Sequence, residues 1–197
     1  MLKLVLSGCL LAVSFASAAT AGPVGASGLV FNESGSPLVN GLVVVGTFAP
    51  SFDPHTYTHH YGDESNNLLP DAYTQAVTDG NFIPIASDLT DSSGFFASFG
   101  SSSAIGSQLW MFAFSGPAPD TFYQVLASTN TSNWFVQPGS IATVIEATQA
   151  NDFVLGFDHP LGVQLNVVPF PEPGAMALAM CGTLSVALLR RARISRH

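Results

Sequence analysis

Between Ala19 and Phe170 the chain contains no lysine and no arginine. Its five basic residues are Lys3, Arg190, Arg191, Arg193 and Arg196, all in the terminal segments. Every acid except Glu172 lies inside those limits, and the formal net charge is −8. The body is therefore anionic throughout. Proteins that bind nucleic acid draw affinity from lysine and arginine displacing counterions from phosphates, so that partner class is excluded. An arginine-assisted phosphate site is excluded on the same ground. Divalent cations and neutral sugars remain compatible with such a body.

Cysteine is also missing from the body, since Cys9 and Cys181 both fall in terminal apolar segments. An internal disulfide, a thiolate zinc site and a cysteine nucleophile are thereby ruled out. Charged residues make up only 9% of the 197 residues, against a usual share of roughly 25%. Ser, Thr, Asn, Gln and Gly must dress the surface instead, as is common in exported bacterial β-proteins. No repeat of 20–50 residues is present, which excludes solenoids and propellers. There is no G-x-S-x-G elbow, no H-E-x-x-H and no Gly-rich loop followed by lysine, so three families of catalytic or phosphate-binding motif are missing.

The N-terminus reads MLKLVLSGCLLAVSFASAATAGP. Lys3 supplies a positive start, an apolar run follows through Phe15, and small residues close it as Ala16-Ser17-Ala18 and Ala19-Thr20-Ala21. This is the layout of a secretory signal peptide over residues 1–21, with signal peptidase cutting after Ala18 or Ala21. Leu6-Ser7-Gly8-Cys9 imitates a lipoprotein site, but too little apolar chain precedes Cys9 and the apolar run continues past it.

The C-terminus reads PFPEPGAMALAMCGTLSVALLRRARISRH. Residues 175–189 are uncharged, with only Thr183 and Ser185 offering hydroxyls. As a helix this run would span about 22 Å at ~1.5 Å per residue. That is short for a bilayer core of ~30 Å, but Arg190, Arg191 and Arg193 can snorkel at its end. Their charge also holds that end in the cytoplasm, so membrane lipid is an expected partner and the body is expected outside. Pro171 and Pro173 have fixed φ and no N–H, and they push their predecessors into extended conformations. The segment before the helix is therefore open to a protease.

Pro171-Glu172-Pro173-Gly174, the apolar run and the arginine cluster together resemble the PEP-CTERM sorting signal of Gram-negative bacteria that make extracellular polysaccharide. The resemblance spans residues 167–196. It implies that an exosortase-like membrane protease processes the chain near the Pro-Glu-Pro and leaves the helix and basic tail behind. Final placement would be the cell surface, the outer membrane or the extracellular matrix, after transient anchoring in the inner membrane. The body also resembles short exported proteins with this tail, through GTFAP, DSSGFF and LWMFAF in that order, a likeness that implies no particular activity.

Between residues 22 and 168 the pattern is β. GLVFN (28–32), a β-branched run at 42–48, GFFASFG (94–100), GSQLWMFAFSG (106–116), TFYQVLAST (121–129), NWFVQPG (133–139) and IATVIEAT (141–148) read as strands separated by turn residues. In the fourth of these, Trp110, Phe112 and Phe114 share one face. Residues 65–77 break the pattern and suit one short helix. The expected fold is mainly β: a small antiparallel sandwich or jelly-roll-like domain, with Phe95, Trp110, Phe112 and Trp134 filling its core.

Two stretches carry polar chemistry. In DPHTYTHHYGDE (53–64), His55 and His59 stand four apart beside His60 and several acids, a ligand set for a transition metal. Pro54, Tyr57 and Gly62 favour a surface loop instead. In DLTDSSG (88–94), Asp88 and Asp91 offer oxygens to calcium but lack the D-x-D-x-D-G spacing, and a β-turn is the plainer reading. No cofactor and no catalytic residue are assigned. Tyr57, Tyr61 and Tyr73, read as exposed, could stack on sugars or as easily pack a loop. The leading expectation is a non-enzymatic exported surface protein among extracellular polysaccharide. A carbohydrate-binding module would show solvent-facing aromatics on one sheet face or loop rim. A surface hydrolase would show a cleft with acids converging on His55, His59 or His60.

Overall fold

The structure is a computed structural model that describes residues 21–62, 68–69, 71–119, 123–129, 134–139 and 142–167. Among them are eleven strands: β1 (Gly22–Phe31), β2 (Leu42–Phe48), β3 (Phe82–Leu89), β4 (Phe95–Ser102), β5 (Leu109–Phe114), β6 (Tyr123–Ser128), β7 (Thr143–Glu146), β8 (Asp152–Leu155), β9 (Phe157–His159), β10 (Gly162–Gln164) and β11 (Asn166–Val167). Two short helices, α1 (Tyr57–His60) and α2 (Ala72–Thr78), lie between β2 and β3. No helix among the described residues is long and apolar enough to cross a membrane. The predicted span at 175–189, with Pro171, Glu172, Pro173, Gly174, Arg190, Arg191 and Arg193, lies outside the described residues, as does Ala18.

The strands form two sheets. The first runs β4-β1-β10-β9, with β7 also on β1; the second runs β11-β6-β5-β2-β3, with β8 also on β6. The pairs are mostly antiparallel, but β1 takes β10 and β7 in parallel, so the all-antiparallel expectation is corrected. Both strands reach the same edge of β1, one after the other. Val24–Ser27 pair with β7 and Leu29–Phe31 pair with β10.

Period-2 alternation explains the packing. Val24, Ala26 and Val30 of β1, Phe96 of β4 and Ile145 of β7 meet Val43, Val45, Leu109, Met111, Ala113, Val125 and Ala127 of the second sheet in one buried cluster. The other residues of β2 and β5 point away from that cluster. Val44, Phe48, Trp110, Phe112 and Phe114 form a second cluster with Tyr57, Tyr61, Leu68, Ala72, Tyr73, Ala76 and Phe82. Hence β5 is buried on both faces, one under the first sheet and one under the helical segment.

That segment is more ordered than a loop. Asp53 Oδ1 accepts from His55 N at 3.0 Å and opens a 3-10 turn at Pro54–Thr56, which runs into α1. Of the expected helix at 65–77, the described residues show α2 at Ala72–Thr78. Ahead of it, Leu68 bridges back to Gly62, and Leu69 N donates to Tyr61 O at 2.9 Å. Ala72, Tyr73 and Ala76 are buried at helical spacing.

Further strand readings change. Of the expected strand at 133–139, the described residues contribute one isolated bridge, Phe135 with Gln108. Conversely, β3, β8, β9, β10 and β11 lie outside the expected strands, and Pro84 and Asp88 interrupt the β pattern of β3. Pro84 sits at a bulge, where the register with β2 slips between Val45 and Gly46 and leaves Ile85 unpaired. β3 is also an end strand of its sheet, and a bulge on an end strand is where proline is tolerated.

The ends of the two sheets, β3 and β4, lie close without a backbone ladder. Asp88 Oδ2 accepts from Ala97 N at 3.0 Å and stitches them. Gly100 allows the approach, since a Cβ there would stand 2.3 Å from Ile85 O.

Candidate functional site

The first sheet keeps one face toward its partner and leaves the other open. In β4 the even positions Phe96, Ser98 and Ser102 are buried, while Phe95, Ala97, Phe99 and Ser101 point outward. Gly94 sets this parity. Asp91 Oδ1 accepts from Ser93 N at 2.7 Å, Ser93 Oγ at 2.6 Å and Phe95 N at 3.0 Å, closing a tight turn that delivers Phe96 inward. Gly94 itself has φ +79, which glycine adopts without strain. Phe95 is thus 41% exposed, a correction to its expected core place, whereas Trp110, Phe112 and Trp134 are buried as expected.

Phe99 is 80% exposed. It is paired across the sheet with Gly25, whose other neighbour is Val144 of β7. A Cβ on Gly25 would stand 3.1 Å from Phe99 Cε1, 3.3 Å from Cδ1 and 3.9 Å from Val144 Cγ2. The ring therefore rests in the gap left by the missing side chain. Leu29 is the partner of Phe95, and Ser27 is flanked by Ala97 and Glu146. Together Phe95, Phe99 and the exposed Val144 make an apolar track, with Ser27 and Glu146 beside it.

At one end the track opens into a groove of about 550 Å³, whose lining includes Ser27, Asp91, Ser93, Phe95, Glu146 and Thr148. Asp91 stays ionised well below the ordinary carboxylate range, because the Ser93 hydroxyl donates to it, followed by the Ser93 and Phe95 amides. The groove thus offers fixed acceptors, serine and threonine hydroxyls and one aromatic wall.

The other expected site residues are dispersed. Asp88 Oδ1 accepts from Leu89 N at 2.9 Å while Oδ2 holds Ala97, so Asp88 and Asp91 serve backbone amides and do not converge on an ion. Among the described residues no group of three or more His, Cys, Asp or Glu is placed to hold a metal. His55 belongs to the 3-10 turn and His59 to α1, which follows it directly. His55 Nε2 lies 3.4 Å from Asp152 Oδ2, with its ring edge-on to Trp110 at 5.8 Å. His60 packs on Phe52 and Tyr61.

Tyr57, Tyr61 and Tyr73 are corrected from exposed candidates to core residues, at 0%, 2% and 8% exposure. They roof the second cluster, with Tyr73 edge-on to Phe112 at 5.2 Å and Tyr57 at 5.4 Å from the same ring. Tyr61 Oη accepts from Asn81 Nδ2 at 2.7 Å and donates to Asp79 Oδ2 at 3.3 Å. Burial raises the Tyr61 phenol above its ordinary value, the Asn81 bond opposes that, and Asp79 adds to it.

The residues that build the open face, Gly25, Phe99, Val144 and Glu146, were not singled out by the sequence. One signal was available: FFASF places phenylalanines on both parities of one strand, and only one parity faces the partner sheet. No protein family, no curated protein and no solved structure matches the chain.

Proposed function

We propose that the chain is an exported, non-enzymatic protein of the cell surface or extracellular matrix. Signal peptidase removes residues 1–21 after Ala18 or Ala21. A PEP-CTERM-type tail, residues 169–197, then anchors the β-domain in the inner membrane through a transmembrane helix at 175–189. Arg190, Arg191 and Arg193 orient that helix, and an exosortase-like protease cuts near Pro171-Glu172-Pro173-Gly174. The mature domain resides among extracellular polysaccharide. The observation that carries this reading is the pattern of the two ends: Lys3, an apolar run and small residues at 16–21, and Pro171-Glu172-Pro173, an uncharged run at 175–189 and the arginines at 190, 191 and 193.

The test is intact-mass analysis and fractionation of the native protein, with and without replacement of Pro171-Glu172-Pro173 by alanines. The wild-type product should lack residues 190–197, and the replaced chain should keep them in the inner membrane. A wild-type product that retains the arginine cluster would refute processing at this motif.

A second reading, a carbohydrate-binding module on the same tail, is favoured by one observation: Phe95 and Phe99 stand exposed on one open sheet face. The buried tyrosines do not support it. A hydrolase draws less support, because the groove containing Asp91 and Glu146 has no histidine among its described lining residues. His55, His59 and His60 belong to the helical segment over the other sheet.

A further inference from the structure

We propose that the open face of the first sheet binds one extended chain of a neutral polysaccharide, with Phe99 and Phe95 each stacking under a sugar ring. The inference rests on the carbohydrate-binding reading and adds to it the site and the class of polymer.

Geometry supplies the first argument. Phe95 and Phe99 share a face of β4 and are four residues apart, hence about 13 Å at ~3.3 Å per residue. That separation exceeds the width of one pyranose ring, so the two phenyl rings cannot clamp a single sugar. They can each support a separate ring of one chain. Phe99 is held over Gly25, with Val144 on the far side, so its orientation is fixed before a ligand arrives. An aromatic face is electron-rich, and the C–H-lined face of a pyranose is complementary to it.

Polar groups supply the second. The groove beside Phe95 presents Ser27, Ser93 and Thr148 with the carboxylates of Asp91 and Glu146. Hydroxyl and carboxylate oxygens next to an aromatic wall match a ligand that is apolar on its ring faces and hydroxyl-rich around its rim. A purely apolar partner would suit Leu29 and Leu161 but would strip water from the Glu146 carboxylate and the Ser27 and Thr148 hydroxyls without replacing it.

Charge decides the class. From Ala19 to Phe170 there is no lysine or arginine. A polymer of uronates, sulfates or phosphates would meet only like charge and find no counter-ion. An anionic membrane surface is rejected for the same reason, because surface docking uses basic residues. A second copy of this chain would bring its own acids against Asp91 and Glu146.

The experiment uses the full chain with Lys3, Arg190, Arg191, Arg193 and Arg196 replaced by Gln, so that only the body's charge is tested, purified in a sugar-free zwitterionic detergent. It is incubated with microcrystalline cellulose, a β-1,3-glucan and a mannan as neutral polymers, and with alginate and polygalacturonate as acidic ones. Depletion from solution gives the affinity. At least one neutral polymer should retain the chain, its monosaccharide should compete poorly, and the acidic polymers should not bind. Phe99→Ala should weaken retention roughly ten-fold, the loss of one stacked ring. Phe99→Leu should be as weak, and Phe99→Trp should restore binding, which separates stacking from general apolarity.

Retention of a neutral polymer that is indifferent to Phe99→Ala would remove this face and leave carbohydrate binding standing. No retention on any neutral polymer would remove both. Equal retention on acidic polymers would overturn the neutral class. A dimer by light scattering that Phe99→Ala dissolves would assign the face to a second copy instead.

Discussion

Phe112→Ala tests whether the helical segment is an integral layer of the protein or an appendage. Phe112 is 0% exposed and central to the second cluster. Its ring lies 4.9 Å from Phe82, 5.2 Å from Tyr73, 5.4 Å from Tyr57 and 5.8 Å from Phe114, centroid to centroid. Truncating a buried phenylalanine costs about 3–5 kcal/mol, transfer and cavity together. The upper part of that range applies here, because these contacts and a fifth, with Phe48 at 6.2 Å, of about 0.5–1.5 kcal/mol each are broken and rigid rings cannot collapse into the void. Met111 is the matched control. It is 1% exposed on the opposite face of the same strand, between the sheets, and Met111→Ala should cost about 2–5 kcal/mol. Phe99→Ala, on the open face, should stay within about 0.5 kcal/mol. The assay is urea unfolding followed by the fluorescence of Trp110 and Trp134. With a slope of about 2 kcal/mol per molar, a 4 kcal/mol loss lowers the midpoint by about 2 M. A shift below about 0.5 M for Phe112→Ala, with Met111→Ala behaving as stated, would refute the claim that the helical segment is an integral layer of the protein.

Three further outcomes are expected. Asn40-Gly41 is a sequence prone to deamidation through attack by the glycine amide, but Gly41 N donates to Thr90 Oγ1 at 2.8 Å in a buried contact. Thr90→Val should accelerate deamidation at Asn40, read by peptide mass spectrometry after incubation at pH 8, and an unchanged rate would remove the protective role of this bond. Asp91 has its folded pKa lowered below 3.8 by Ser93 and Phe95 donors. It therefore contributes stability that is present above the ordinary carboxylate range and lost as pH falls through the lowered value. Carbon-detected NMR should give Asp91 a midpoint below 3.8, and Ser93→Ala should raise it. Gly100→Ala should part the seam between β3 and β4, since its Cβ would stand 2.3 Å from Ile85 O. Exchange of the Ala97 amide should then accelerate while that of Met111 is unaffected.

Much of the β character was legible because it is local. The LWMFAF run, the β-branched stretch at 42–48 and the turn at Asp91–Gly94 each state their conformation within a few residues. β3 was hidden because Pro84 argues against a strand unless a bulge on an end strand accommodates it, and only the pairing partner reveals that. The strand expected at 133–139 was lost for the converse reason: its residues have β propensity, but Phe135 finds only Gln108 as a bridge partner. The histidine stretch reads as a loop because Pro54, Tyr57 and Gly62 are turn-prone, and only tertiary contacts show it as a 3-10 turn and α1, with His55 against Trp110 and Asp152.

The chain's composition by itself determined the charge of the body, its lack of lysine and arginine, and the apolar runs near both ends. Those properties are sums or short patterns along the chain and need no partner to be read. The structure alone decided which aromatics face water. Tyr57, Tyr61 and Tyr73 went inside because a helical segment folds over the second sheet, and Phe99 stayed outside because, among the described residues, no element folds over the outer face of the first. Side-chain alternation assigns a residue to one of two faces, but whether a face is covered depends on where distant segments of the chain come to rest.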